Sequence, residues 1–164
     1  MNTETRPMRA SGACLCGDVR YEVRGPLRPV IVCHCSQCRR STGHVLASTA
    51  ARRADFVITH GDSLRWYDSS EKARRGFCGR CGSNLFWDGK GLDYVAISAG
   101  TLDPPTGLAL ARHIYVASKG DYYTIDDGLP QSRDGLHTIP TAPAAGHSTR
   151  RQTSSKRKRS PPGS

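Results

Sequence analysis

The chain has 164 residues, 37% of them hydrophobic, 23% charged and only 7% aromatic. That is one domain's worth of chain with a modest core, and no apolar run approaches the roughly 20 residues a membrane helix needs. The net charge of +10 is uneven: Thr138 to Ser164 holds six basic residues and no acid, which leaves +4 for residues 1–137, little for a body built to bind nucleic acid.

Residues 1–10 read as a flexible N-terminus. The opening "MNTETRPMRASGACLCG" has no apolar stretch of the signal-peptide kind. The expectation is a cytoplasmic protein, in which seven cysteines serve as ligands rather than as disulfides. "VRYEV" (19–23) alternates apolar and polar positions, and "PVIVC" (29–33) is a buried-looking run; both predict strands. "SQCRRSTG" (36–43) predicts a helical turn with Ser36 as N-cap and Gly43 as the stop. "DFVITHG" and "SLRWYD" read as strands joined at "HGD" in a hairpin. "NLFW" (84–87) and "DYVAISAG" (93–100) predict a second hairpin across "DGKG". "RHIYVAS" (112–118) is a last strand, after the Pro-rich loop "LDPPTG". The class is mostly β, in one domain over 11–137. Residues 138–164 are rich in Pro, Ser and Thr and predict a disordered basic tail. Its "KRKR" run, 156–159, is a candidate contact for nucleic acid or another polyanion.

The cysteines fall in three groups: Cys14 and Cys16; Cys33, Cys35 and Cys38; Cys78 and Cys81. Seven divides as four plus three. The first and third groups can close one tetrahedral four-thiolate zinc site that staples distant parts of the chain. Gly17, Gly79 and Gly82 suit the tight turns such a site needs. The middle group then offers three thiolates and an exchangeable position, the pattern of a catalytic zinc. A second partition pairs Cys35 and Cys38 with Cys78 and Cys81 as a zinc ribbon, and strands Cys14, Cys16 and Cys33. A redox reading finds no thioredoxin-like βαβ pattern around either C-x-x-C.

"GACLCGDVRYEV", "CHCSQCRRSTG", "FCGRCGSNLF", "SAGTLD", "HIYVASK" and "DGLPQS" resemble, in order, the motifs of the glutathione-dependent formaldehyde-activating (GFA) family, which includes the centromere protein V group. The resemblance covers about residues 11 to 132. It implies a mostly β fold of the β-tent type with two Zn2+ per chain. It assigns a structural zinc to Cys14, Cys16, Cys78 and Cys81, and a catalytic zinc to Cys33, Cys35 and Cys38. The departures from the family pattern, at "LDPP", "KGDYYTIDDG" and the end of "DGLPQS", touch no cysteine and bear on substrate identity.

The family's namesake reaction adds the glutathione thiol to formaldehyde, giving S-hydroxymethylglutathione; its reverse is carbon–sulfur cleavage. An open zinc suits it by holding the incoming sulfur as thiolate, next to the aldehyde. Glutathione carries two carboxylates, and Arg39 and Arg40, directly after Cys38, are the candidates to contact them. His34, between two ligands, points away from both sulfurs if the segment is extended, and is a candidate for a proton shuttle or a supporting hydrogen bond. His44 and His113 are further proton-transfer candidates. Ser83 is expected to bond backbone near Cys81, and Trp66 and Trp87 to be core or pocket wall. The rival reading is a zinc-stapled binding module that contacts nucleic acid through the tail.

Overall fold

The computed structural model describes residues 8–135. The strands are β1 (Ala10–Ala13), β2 (Arg20–Val23), β3 (Val30–Cys33), β4 (Leu46–Arg52), β5 (Phe56–His60), β6 (Leu64–Ser70), β7 (Ala73–Cys78), β8 (Asn84–Gly89), β9 (Tyr94–Ser98) and β10 (Leu110–Ile114). One helix, α1 (Ser36–Thr42), follows β3, and short 3-10 turns span Arg53–Asp55, Ala99–Thr101 and Val116–Ser118. The mostly β class expected from the sequence is the observed one. The basic tail, with its 156–159 run, lies outside the described residues.

Two sheets form. The smaller has the order β1-β2-β5, and the larger β10-β3-β4-β9-β8-β7-β6. Within the larger sheet β10 pairs in parallel with β3, and the other neighbours are antiparallel. Strand alternation divides the large sheet's residues between two faces. Phe86, Val95 and Ile97 pack into the main core with Val19, Tyr21 and Val23 of the small sheet's side. Tyr21 meets Phe86 edge-on at 5.2 Å, and its hydroxyl lies 2.7 Å from Thr101 Oγ1, so a buried phenol keeps a polar partner. The opposite face of the sheet carries Trp87, Tyr94 and Ala96 and lines a cavity.

Three local expectations change. The strand expected at 112–118 runs Leu110–Ile114 instead, because Tyr115 takes the left-handed region, φ 56°, and turns the chain into the 3-10 segment Val116–Ser118. The "HGD" segment is not a hairpin turn: β5 pairs with β2 in the small sheet, and β6 pairs with β7 at the edge of the large one. Phe56 is drawn into the core against Tyr21 and Phe86, which takes β5 away from β6. The crossing is fixed by Gly79 N–H donating to the Ser63 carbonyl at 2.7 Å and by Ser63 Oγ donating to Asp18 at 3.1 Å. The α1 N-cap is Cys35 and not Ser36; its sulfur accepts the Cys38 amide at 3.3 Å in place of a capping hydroxyl. Gly43 ends the helix in the left-handed region, φ 83°, as expected. The "DGKG" hairpin is present, with Phe86 opposite Ile97 and Trp87 opposite Ala96.

Candidate metal centres and the cavity between them

The first cluster joins the ends of β1 and β7. The sulfurs of Cys14, Cys16, Cys78 and Cys81 all lie within 4.8 Å of one another. Cys14 Sγ to Cys16 Sγ is 3.5 Å, and Cys16 Sγ to Cys78 Sγ is 3.7 Å. Four sulfurs about 2.3 Å from one ion stand about 3.8 Å apart, so this donor set fits a tetrahedral zinc. The two loops are tied independently of any ion. Leu15 N–H donates to Ser83 Oγ at 3.0 Å, and that oxygen lies 3.2 Å from Cys81 Sγ. The Ser83 hydroxyl, followed by backbone amide bonding, pulls the Cys81 thiol down to about 5 and favours the ligating thiolate. Cys14 Sγ accepts the Val19 amide at 3.3 Å. Gly17 and Gly82 take positive φ, 79° and 77°, one in each cysteine turn. Gly79 does not; it is small because a side chain there would press on Arg65 and the Ser63 carbonyl.

The second cluster is Cys33, Cys35 and Cys38, again with all sulfurs within 4.8 Å, and no fourth Cys, His, Asp or Glu completes it among the described residues. β3 delivers Cys33, the chain continues extended to Cys35, and the first turn of α1 swings Cys38 back beside them. Hydrogen bonds from Cys33 and Cys38 pull the Cys35 thiol down to about 2, while the same contacts push Cys33 far above the usual thiol range. Three sulfurs this close hold three negative charges only with a cation among them, so the donor chemistry fits zinc here as well. Arg75 Nη2 donates to Cys38 Sγ at 3.8 Å and to Gln37 Oε1 at 3.3 Å, which sets a guanidinium against the thiolates.

These sulfurs open into a cavity of about 640 Å³. Each strand of the large sheet contributes to its wall, through residues such as Ile31, Ser48, Ala73, Trp87, Tyr94 and Ile114. Alternation along β3 decides what the triplet faces: Ile31, Cys33 and Cys35 turn into this cavity, while Val32 and His34 turn to the far side.

On that far side His34, 2% exposed, belongs to a buried polar chain. Its Nδ1 lies 2.5 Å from the Tyr123 hydroxyl and its Nε2 2.9 Å from His113 Nδ1; His113 Nε2 lies 2.8 Å from Asp127 Oδ2. The carboxylate must accept, so His113 donates from Nε2, and in its neutral form it accepts at Nδ1. His34 then donates from Nε2 and accepts from Tyr123. Desolvation, followed by the nearby charge that His113 carries when protonated, lowers the His34 value and favours its neutral ring. His44 is exposed and reaches Tyr122 at 2.9 Å. The three histidines named from sequence therefore share one shallow chamber, separate from the sulfurs' cavity.

Arg39 and Arg40 do not line the cavity. Arg39 Nε donates to the Ser118 carbonyl at 2.9 Å and ties α1 to the 3-10 turn Val116–Ser118; Arg40 is exposed. The cations that line it are Arg28, Lys72 and Arg75, none of them named from sequence. Trp87 is cavity wall, whereas Trp66 stacks near Phe86 under the Arg74 guanidinium at 4.2 Å.

The model of one family, described as glutathione-dependent formaldehyde-activating enzyme, matches residues 9–118 and so spans both cysteine clusters. The chain belongs to the GFA family. A crystal structure of a Rhodobacter sphaeroides protein is similar at 27% identity, over 61% of this chain and 97% of that chain, with a TM-score of 0.49. No curated protein matches the chain. Among the described residues, no helix is long and apolar enough to cross a membrane.

Proposed function

We propose that this protein is a zinc-dependent enzyme of the carbon–sulfur lyase type. It makes or breaks an adduct between a small thiol and an aldehyde, with glutathione and formaldehyde as the pair the family description names. The observation that carries this reading is the contrast between the two clusters: one has four converging sulfurs, and the other has three that face a cavity. A closed set is what a structural site needs, and an open one is what an exchangeable ligand needs.

When bound at the triplet, zinc would supply a position at which a thiol is held as its nucleophilic thiolate. The chain's own residues supply the rest. Cys33, Cys35 and Cys38 hold the ion, and Arg75 offsets the net negative charge of a three-thiolate shell. Trp87, Tyr94, Ile31 and Ile114 give the cavity apolar walls that displace water from the adduct. Confining thiol and aldehyde in this one chamber raises their effective concentration, a large source of acceleration for a two-substrate addition.

The test is Cys35→Ser, with zinc quantified alongside formaldehyde consumption in the presence of glutathione. The expected result is loss of turnover and of one zinc, with the second zinc and the folded state retained. Full turnover by this variant would overturn the reading. The nucleic-acid alternative depends on the 156–159 run, and no feature of the described body favours it.

A further inference from the structure

The cavity has a marked charge asymmetry. Among the described residues Arg28, Lys72 and Arg75 line it, and no carboxylate does. Two of the three are inside the protein: Arg28 is 9% exposed and Arg75 6%. A buried guanidinium ordinarily finds a carboxylate or fills its N–H positions with carbonyls. Neither finds a carboxylate here, and neither fills its N–H positions. Arg28 Nε and Arg75 Nη1 are buried and have no hydrogen-bond partner among the described residues.

Both side chains are held in place by their remaining groups. Arg28 donates its backbone N–H to the Ala50 carbonyl at 3.0 Å and Nη2 to the Ser48 carbonyl at 3.2 Å. Arg75 uses Nη2 on Gln37 and Cys38. Each arginine thus has one end fixed and a buried N–H left over in the cavity wall, and each guanidinium brings to the cavity its side chain lines a positive charge that no carboxylate among the lining residues offsets. The leftover group on Arg75 is not the one that faces sulfur, and among the described residues Arg28 makes no hydrogen bond to a cysteine. Charge balance for the thiolates therefore accounts for part of Arg75 and none of Arg28.

We propose that Arg28 and Arg75 are the specificity-determining residues of the cavity, holding the carboxylate of a small thiol whose sulfur reaches Cys33, Cys35 and Cys38. The assignment rests on the thiol-adduct reading above and names the residues that would select for it: a carboxylate on the thiol is held inside the cavity, and neutral thiols are poor ligands. It also moves the carboxylate contact from the surface pair Arg39 and Arg40 to the interior pair.

The experiment is calorimetric titration of the zinc-loaded full chain with four probes: 3-mercaptopropionate, 3-mercaptopropionamide, and the S-methyl thioether of each. The acid is expected to bind about ten- to hundredfold more tightly than the amide within both pairs, the range for a hydrogen bond to a charged group. Arg28→Gln and Arg75→Gln should each reduce that preference about tenfold; Arg28→Gln should leave amide binding unchanged, and for Arg75→Gln the acid-to-amide ratio is the readout, because Arg75 also faces Cys38. Lys72→Gln, at an exposed position, should leave it within about twofold. Equal binding of acid and amide by the unaltered protein would overturn the assignment without any variant having to fold. So would an acid preference that survives in both arginine variants. If thiols bind no more tightly than thioethers while the acid preference persists, the arginine site stands and the sulfur–metal reading falls. If thiols outbind thioethers but acid and amide are equal, the arginine assignment falls alone.

Discussion

Leu15 and Ser83 are 68 positions apart, yet the amide of one donates to the hydroxyl oxygen of the other at 3.0 Å. This bond fastens the Cys14–Cys16 loop to the Cys78–Cys81 turn, and the same serine reaches Cys81 Sγ. Ser83→Ala removes both contacts and retains all four sulfurs. The expected cost is about 1 kcal/mol, or about 4 °C in Tm, with zinc content unchanged. Thermal unfolding with parallel metal analysis checks this, and loss of a zinc would show that the serine is needed to assemble the site.

Cys78→Ser should have a much larger effect. Cys78 is fully buried at the end of β7, and its sulfur belongs to the four-sulfur cluster. Binding free energies for structural zinc reach about 10 kcal/mol or more in small domains, comparable with the whole stability of a chain this size. The variant is expected to lose cooperative unfolding in circular dichroism and calorimetry. Prolonged treatment with a strong chelator should do the same to the unaltered protein.

Asp88 sets an acid limit. It sits on β8, almost buried, with Arg53 at 2.5 Å and Arg74 at 2.8 Å. Burial alone would raise its value, but the hydrogen bonds from both guanidinia outweigh burial and hold it below the ordinary 3.8. A carboxyl whose value is lower in the folded than in the unfolded chain stabilises at pH above about 3.8, and that stabilisation is lost as pH falls through the folded value. Asp88→Asn should cost about 1–3 kcal/mol at neutral pH, toward the low end because both arginines are half exposed and rehydrate. Its stability should also change less between pH 5 and pH 3 than that of the unaltered protein. Denaturant titrations across that range measure both quantities.

The polar chain behind the triplet fixes two tautomers. His34 and His113 should both carry the proton on Nε2 at neutral pH, with Tyr123 donating into His34 Nδ1. Nitrogen-15 spectra of labelled protein read this directly, and an Nδ1–H signal for either ring would contradict the derived direction. His113→Ala leaves the His34 Nε2–H without an acceptor and should cost about 2 kcal/mol.

Cysteine spacing carried much of the site in the sequence. The four-plus-three division needs only counting, and the structure brings together the same two sets. Strands that alternate or run apolar, such as 19–23 and 29–33, were legible for the same reason. β4 and β7 were not. "LASTAAR" is small and nearly featureless, and "ARRGFC" carries two arginines where a buried strand normally shows aliphatic residues. Without β7, nothing indicated that Arg75 turns inward. Proximity to Cys38 drew attention to Arg39 and Arg40 instead, but α1 ends within a few residues and directs them to the Ser118 carbonyl and to solvent. The "HGD" error has the same origin: turn chemistry is local, whereas the choice of sheet was made by Phe56 and its distant core partners.

The parallel pairing of β10 with β3 has a consequence for the order in which the molecule can be built during synthesis. The four-sulfur staple is complete in sequence once Cys81 has left the ribosome. The reaction chamber is not: its outer wall includes Ile114, Tyr115 and Ser118, contributed by β10 and the turn after it. Domains form from the N-terminal side as they emerge, and long-range pairings close last. A chain that ended before Leu110 would contain all seven cysteines but would lack this wall of the triplet's chamber. For the interval it takes to make that final stretch, the nascent protein carries its three cysteines beside a chamber that still lacks one wall.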